Sequence, residues 1–307
     1  MQDFDLIVVG AGVAGLTAAM FAARHGLKVT VVDRLGAGGQ ITNAERIENF
    51  PGFPQGVAGH DLGPLLHEQA EAAGAEFLID TIEGIEIAGE QRILRGAGET
   101  LRAPAVIIAA GSALRLLGVP GEAQFLGRGV SHCASCDGPL FAGREVCVVG
   151  GGDSALDEAL VLAAHAARVM VFHRGARLRA QQALVERVAT TGNIEIALAT
   201  VVEEIIGADA VTAVRLRELD TGTVRLHAIS GVFIHVGLEP NTAFLRDVLT
   251  LDPAGHVETD ILMRTSLAGV FAAGDIRKNS VAQLAAAAGD GATAAISAVR
   301  YLQGRER

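Results

Sequence analysis

The chain has 307 residues, half of them hydrophobic, and a formal net charge of −10. That length and composition imply about two packed domains and exclude a disordered chain. The acidic balance speaks against general nucleic-acid binding, which needs a basic surface, and three cysteines are too few for a disulfide scaffold, so a cytoplasmic enzyme is the default.

The first element is apolar: "LIVVGAGVAGLTAAMFAA". Asp3 and Asp5 precede it where a signal peptide would carry basic residues, and glycines punctuate it, so neither a membrane span nor a signal peptide is expected. It reads instead as strand, turn, helix and second strand. The turn is Gly10-x-Gly12-x-x-Gly15. In a dinucleotide site the first glycine makes the tight turn, the second admits the pyrophosphate, and the third lets helix and strand pack closely. Asp33 closes the second strand, about 20 residues on, where an acid accepts hydrogen bonds from a ribose.

Mid-chain stands "SHCASCDG", Ser131 to Gly138. Cys133 and Cys136 have the spacing of half a zinc site, a structural disulfide, or a dithiol that cycles between redox states. Zinc needs about four ligands. The third cysteine, Cys147, lies in "EVCVVGGG", which reads as a buried strand, and there is no second Cys-x-x-Cys. That disfavours metal. His132 favours a Cys133 thiolate if it is cationic and close, but the plainer expectation is an exposed loop residue.

The strand–turn–helix–strand pattern then returns. Its turn, Gly150-x-Gly152-x-x-Ala155, is the tolerated alanine form, followed by Asp153 and Ser154 at the helix start. The second strand ends in His173 and Arg174 instead of an acid, with Arg177 and Arg179 beyond. A basic cluster there suits the 2′-phosphate of NADP; the competing reading is a solvated basic face. Late in the chain come a strand, Gly274-Asp275 and an alanine-rich helix. This resembles the closing flavin motif of flavoproteins with two dinucleotide domains, whose Asp holds the ribityl chain and whose helix points at the flavin pyrimidine.

The expected fold is therefore α/β, with two Rossmann-like domains. Residues 1–113 and 241–307 form a discontinuous FAD domain. Residues 114–240 form an inserted NADP domain that carries the Cys-x-x-Cys. "GAGVAGLTAA", "GGQITNAERIENFPGF", "GVPGE", "GRGVSHCASCDG", "VVGGGDSALDEAL", "VGLEPNT" and "AAGDI" fall in the order and spacing of the low-molecular-weight thioredoxin reductases, and the whole chain resembles that family. The resemblance implies FAD and NADPH as cofactors and thioredoxin or a thioredoxin-like protein as partner. It implies a cytoplasmic homodimer with no nucleic acid or membrane partner, whose inserted domain rotates about two crossings near Ala113 and Pro240. FAD is expected at Gly10, Gly12, Gly15, Asp33, Gly39, Gln40, Asn49, Gly274, Asp275 and Gln283. NADP is expected at Gly150, Gly152, Asp153, Ser154, His173, Arg174 and Arg179. Cys136 is implied to face the flavin, Cys133 to attack the partner's disulfide, and Asp137 to be the acid beside them.

Three residues depart from the family pattern: Gly175 and Ala282 each replace an arginine, and His132 stands where a small residue is expected. Two further enzyme readings stay open, a flavin-dependent dithiol oxidase acting on a small molecule and a ferredoxin-fed reductase. A non-catalytic flavin module is a third alternative, which the intact Cys-x-x-Cys-Asp argues against.

Overall fold

The computed structural model describes residues 2–304. The chain divides into two compact units, Met1–Ala113 with Glu239–Arg307, and Leu114–Leu238.

The first unit centres on five parallel strands in the order Val270–Ala272, Ala105–Ile108, Leu6–Val9, Val29–Asp33 and Glu76–Ile79. The two central strands, LIVV and AVII, are buried throughout. On one face lie the helices α1 (Val13–Arg24), α2 (Gly59–Ala72) and α6 (Leu284–Leu302). The other face is covered by an antiparallel meander, Ile82–Ala88, Gln91–Gly96 and Thr100–Ala103, edged by Gln2–Asp3. Here the small residues explain themselves. α1 and α6 bring Ala18, Ala19 and Ala22 into one buried cluster with Ala294, Ala295 and Ala298. A Cβ on Gly291 of α6 would lie 2.1 Å from the carbonyl oxygen of Ala14, so the two backbones touch.

The second unit repeats the plan. Its parallel order is Val130–Ser131, Gly231–His235, Glu145–Gly150, Arg168–Phe172 and Ile194–Ala197. The short helix α3 (Ala134–Asp137), α4 (Asp153–Ala163) and α5 (Gln182–Thr190) cover one face. The antiparallel strands Thr200–Gly207, Val211–Glu218 and Val224–Ala228 cover the other. Cys147 lies at the centre of this sheet, fully buried, and burial pushes its thiol well above the ordinary range. Among the described residues no helix is long and apolar enough to cross a membrane.

Candidate active site

The first glycine turn follows the Leu6–Val9 strand and opens α1. Gly10 has φ +106°, and a Cβ there would sit 2.3 Å from the carbonyl oxygen of Ala109. A Cβ on Gly15 would sit 1.9 Å from the carbonyl oxygen of Gly10. Both positions are closed to any side chain by the protein itself. Gly12 is different: its Cβ would meet nothing within 4 Å. Space kept open at the N-cap of a helix, where unpaired N–H groups gather, suits close approach of a phosphate. Asp33 is partly committed. Its Oδ2 accepts from Ala11 N at 2.9 Å, and its Oδ1 from Leu35 N at 2.8 Å and Gly36 N at 3.1 Å. A carboxylate has about four acceptor sites, so Asp33 both braces the turn and keeps capacity for a ribose hydroxyl.

The other expected flavin residues gather in the same unit. Gly39 lies against Gly12; its Cβ would be 3.2 Å from that Cα. Gln40 donates through Nε2 to Ser112 O at 2.9 Å. Asn49 and Gln283, far apart in sequence, meet at 3.0 Å, with Gln283 the N-cap of α6. Gly274 takes φ +79°, and its N–H donates to Asp290 Oδ2 at 3.1 Å. Asp275 accepts from Ser280 Oγ at 3.1 Å. Burial holds its carboxyl above the ordinary carboxylate value; the Ser280 bond opposes this, and the charge of Asp290 adds to it. Ala282, one of the departures, adopts φ +50°, exposed.

In the second unit the turn Gly150–Gly152 opens α4 in the same manner. A Cβ on Gly150 would be 2.3 Å from His235 O, whereas Gly152 again has open space. Asp153 ties this turn to the loop after the Arg168–Phe172 strand, accepting from Gln181 N and Nε2, both at 2.7 Å. Arg179 N donates to Gly151 O at 2.7 Å. Ser154 is exposed on the first turn of α4. These residues line a cavity of about 440 Å³ together with His173, Arg174 and Arg179.

His173, expected in the basic cluster, lines the cavity as a packed ring. It is buried, and its Nε2 lies 3.1 Å from Arg177 O. Burial, opposed by that contact and reinforced by Arg179 and Arg174, holds its pKa below the ordinary value. A Cβ on Gly151 would be 2.3 Å from its ring, and one on Gly175 would be 2.7 Å from it. His173 therefore packs the floor of the turn, and Gly175 gives the ring its space. Arg174 and Arg179 are exposed at the cavity with no ion-pair partner among the described residues. Arg177 contributes its carbonyl, not its charge, and does not line the cavity.

Cys133 and Cys136 are joined as a disulfide. Cys133 is the N-cap of α3, and its Sγ accepts from Cys136 N at 3.2 Å. Cys133 is half-buried and Cys136 exposed. Asp137 closes the helix, half-buried, and its side chain makes no cap hydrogen bond to the following turn. His132 departs from the plain expectation: it is half-buried, with Nδ1 3.1 Å from Ile234 O. Four structural residues were not foreseen. Asp290 pairs with Arg277 (Nε–Oδ2 2.6 Å) beneath the Gly274 loop, and Glu158 and His235 lie under the redox turn. Sequence offers one weak signal, an acid inside the alanine-rich "AAGDGA" of α6.

Two nucleotide cradles and a paired dithiol define a pyridine-nucleotide enzyme of disulfide chemistry. Residues 4–291 match the family model for pyridine nucleotide-disulphide oxidoreductases, and the chain belongs to that family. It is 41% identical over 304 residues to a thioredoxin reductase of Treponema pallidum, covering 98% of this chain and 97% of the relative. It is 40% identical to a thioredoxin reductase of Listeria innocua over 98% of this chain and 94% of the relative. Among solved structures, Lactococcus lactis thioredoxin reductase in its FR conformation superposes with a TM-score of 0.96 at 38% identity, covering 98% of this chain and 99% of that one. The T. acidophilum thioredoxin reductase gives 0.94 at 35% identity, with both chains fully covered.

Proposed function

We propose that this chain is an NADPH-dependent, FAD-containing reductase of the disulfide in thioredoxin or a thioredoxin-like protein. The observation that carries the reading is the placement of the Cys133–Cys136 disulfide on the segment that leads into the second nucleotide turn, in a chain that holds a separate cradle of the same design. The residues fit both groups. Gly12 and Gly152 keep open space at helix starts, and Arg174 and Arg179 stand uncompensated at the second cavity, ready for a 2′-phosphate. Those two arginines favour NADPH over a ferredoxin-fed or oxidase reading.

FAD, when bound, supplies a centre that accepts a hydride and yields an electron pair. The chain does the rest. The starts of α1 and α6 offer unpaired N–H groups and positive dipole ends to anionic atoms. Two electrons and two protons convert the disulfide to a dithiol, breaking the S–S bond. Cys133, as thiolate, attacks one sulfur of the partner's disulfide and forms a mixed disulfide. Cys136 then attacks Cys133, re-forming the internal bond and releasing the partner as a dithiol. Asp137, next to Cys136 and without a cap bond, is the group that exchanges the proton. The chain is read as a cytoplasmic homodimer, as the family resemblance implies; light scattering checks the dimer.

The test is steady-state NADPH oxidation with oxidised thioredoxin. Cys133→Ser and Cys136→Ser should each abolish turnover while hydride transfer from NADPH to flavin survives. Turnover in either variant would end the reading.

A further inference from the structure

Beneath the redox turn lie groups that the reaction above does not use. Ala134 N, the first N–H after Cys133, donates to Glu158 Oε2 on the second turn of α4. His235, at the end of the Gly231–His235 strand below, places Nε2 3.7 Å from the same oxygen, and its side chain is only 4% exposed. Neither ring nitrogen of His235 has a hydrogen-bond partner among the described residues. A buried imidazole of this kind stays neutral: burial first, then the charge of His132, pushes its pKa down to about 4. The other titratable or charged groups on the elements that meet here are His132 and Asp137 on the turn's own segment, Asp153 and Asp157 along α4, and His165 just beyond α4, whose ring lies against Gly138.

We propose that Glu158 is a positioning residue for the dithiol: it anchors the redox turn through Ala134 and raises the titration of the Cys133 thiol. A carboxylate bonded to the turn that Cys133 caps opposes formation of a second negative charge on Cys133 Sγ. Stabilising the thiolate is what makes a dithiol oxidising, so a nearby carboxylate does the reverse and favours handing electrons on. The anchor matters as well. α3 has only four residues, too few to hold itself once the disulfide opens, and Glu158 reaches it from α4, outside the segment that the disulfide closes.

The inference rests on the proposed interchange role of Cys133, but its test does not. The holoenzyme is reduced anaerobically with NADPH and alkylated with iodoacetamide across a pH series, and the Cys133 peptide is quantified by mass. In Glu158→Gln, which keeps an acceptor for Ala134 N, the Cys133 midpoint should fall by about one pH unit. At a pH above both midpoints the pair should become up to tenfold easier to reduce, about 30 mV for a two-electron couple. Glu158→Asp retains the charge and should stay within about 0.3 unit of the parent. FAD content and the NADPH half-reaction should match the parent in both. If Glu158→Gln fails to bind FAD, Glu158→Ala takes its place with the same expected fall. An unshifted midpoint in the neutral variant, or an equal shift in Glu158→Asp, overturns the proposal. A shifted midpoint in a chain whose Cys133→Ser form still turns over thioredoxin would instead count against the interchange role.

Discussion

Replacing His235 by leucine should make the protein resist acid. The ring is almost fully enclosed and has no hydrogen-bond partner at either nitrogen among the described residues. Its pKa is depressed from 6.5 to about 4 in the folded state, by burial and then by His132. Between those values the unfolded chain binds a proton that the folded chain refuses. The stability contribution is thus fully present above pH 6.5 and is lost as pH falls towards the folded value. A depression of that size corresponds to about 3 kcal/mol, most of it gone by about pH 4.5. Leucine abolishes this proton linkage. It also removes two orphaned polar atoms, each a potential cost of about 1–3 kcal/mol, so the variant should be at least as stable as the parent near pH 7.5. Urea denaturation followed by far-UV circular dichroism, at about pH 7.5 and about pH 4.5, measures the difference. The parent should lose about 3 kcal/mol more than His235→Leu between the two conditions. Parallel losses would refute the reasoning and mean that the imidazole finds a proton-bound partner or water in the folded state.

Asp290→Ala should destabilise the first unit by about 2–4 kcal/mol, because it strands the Arg277 guanidinium and the Gly274 N–H; release of flavin fluorescence during urea denaturation reports it. Gly12→Ala should leave apoprotein stability within about 1 kcal/mol, since its Cβ meets only open space, yet weaken FAD binding by about 100-fold or more; equal FAD affinity would mean that nothing approaches that space. Arg179→Ala should raise the KM for NADPH by about 10- to 100-fold, from a lost charge-assisted contact of about 1.5–3 kcal/mol, and leave that for NADH nearly unchanged. An equal change in both coenzymes would remove Arg179 from the 2′-phosphate site.

Both cradles were legible because glycine is demanded there by contact distances that any sequence with this fold must respect. Gly10, Gly15 and Gly150 each have a carbonyl oxygen where a Cβ would lie. The cysteine pair was visible in its spacing, which left three chemistries open; the order of motifs around it and the family resemblance pointed to a redox dithiol. The antiparallel layers were not. In "TVVEEIIG" the alternation slips between Val202 and Glu204, and Glu203 and Glu204 pair with Arg217 and Arg215, so the period of two is broken by charge and by an irregular register. The packing of the His173 ring against Gly151 was not legible, because no linear pattern encodes that contact. The Ala134–Glu158–His235 contact was out of reach for a similar reason: strand order brings those three positions together across about 100 residues of chain.

The central claim is that electrons from NADPH reach the Cys133–Cys136 pair by way of FAD and leave to a protein disulfide. Anaerobic titration of the purified holoenzyme with NADPH, followed by oxidised thioredoxin, tests it most directly. The account predicts that the parent takes up four electrons, two at the flavin and two at the dithiol, and that thioredoxin restores the oxidised flavin spectrum. Cys133→Ser should take up two and should not be reoxidised by thioredoxin. A flavin that NADPH fails to bleach, or a parent that takes up no more electrons than Cys133→Ser, would contradict it.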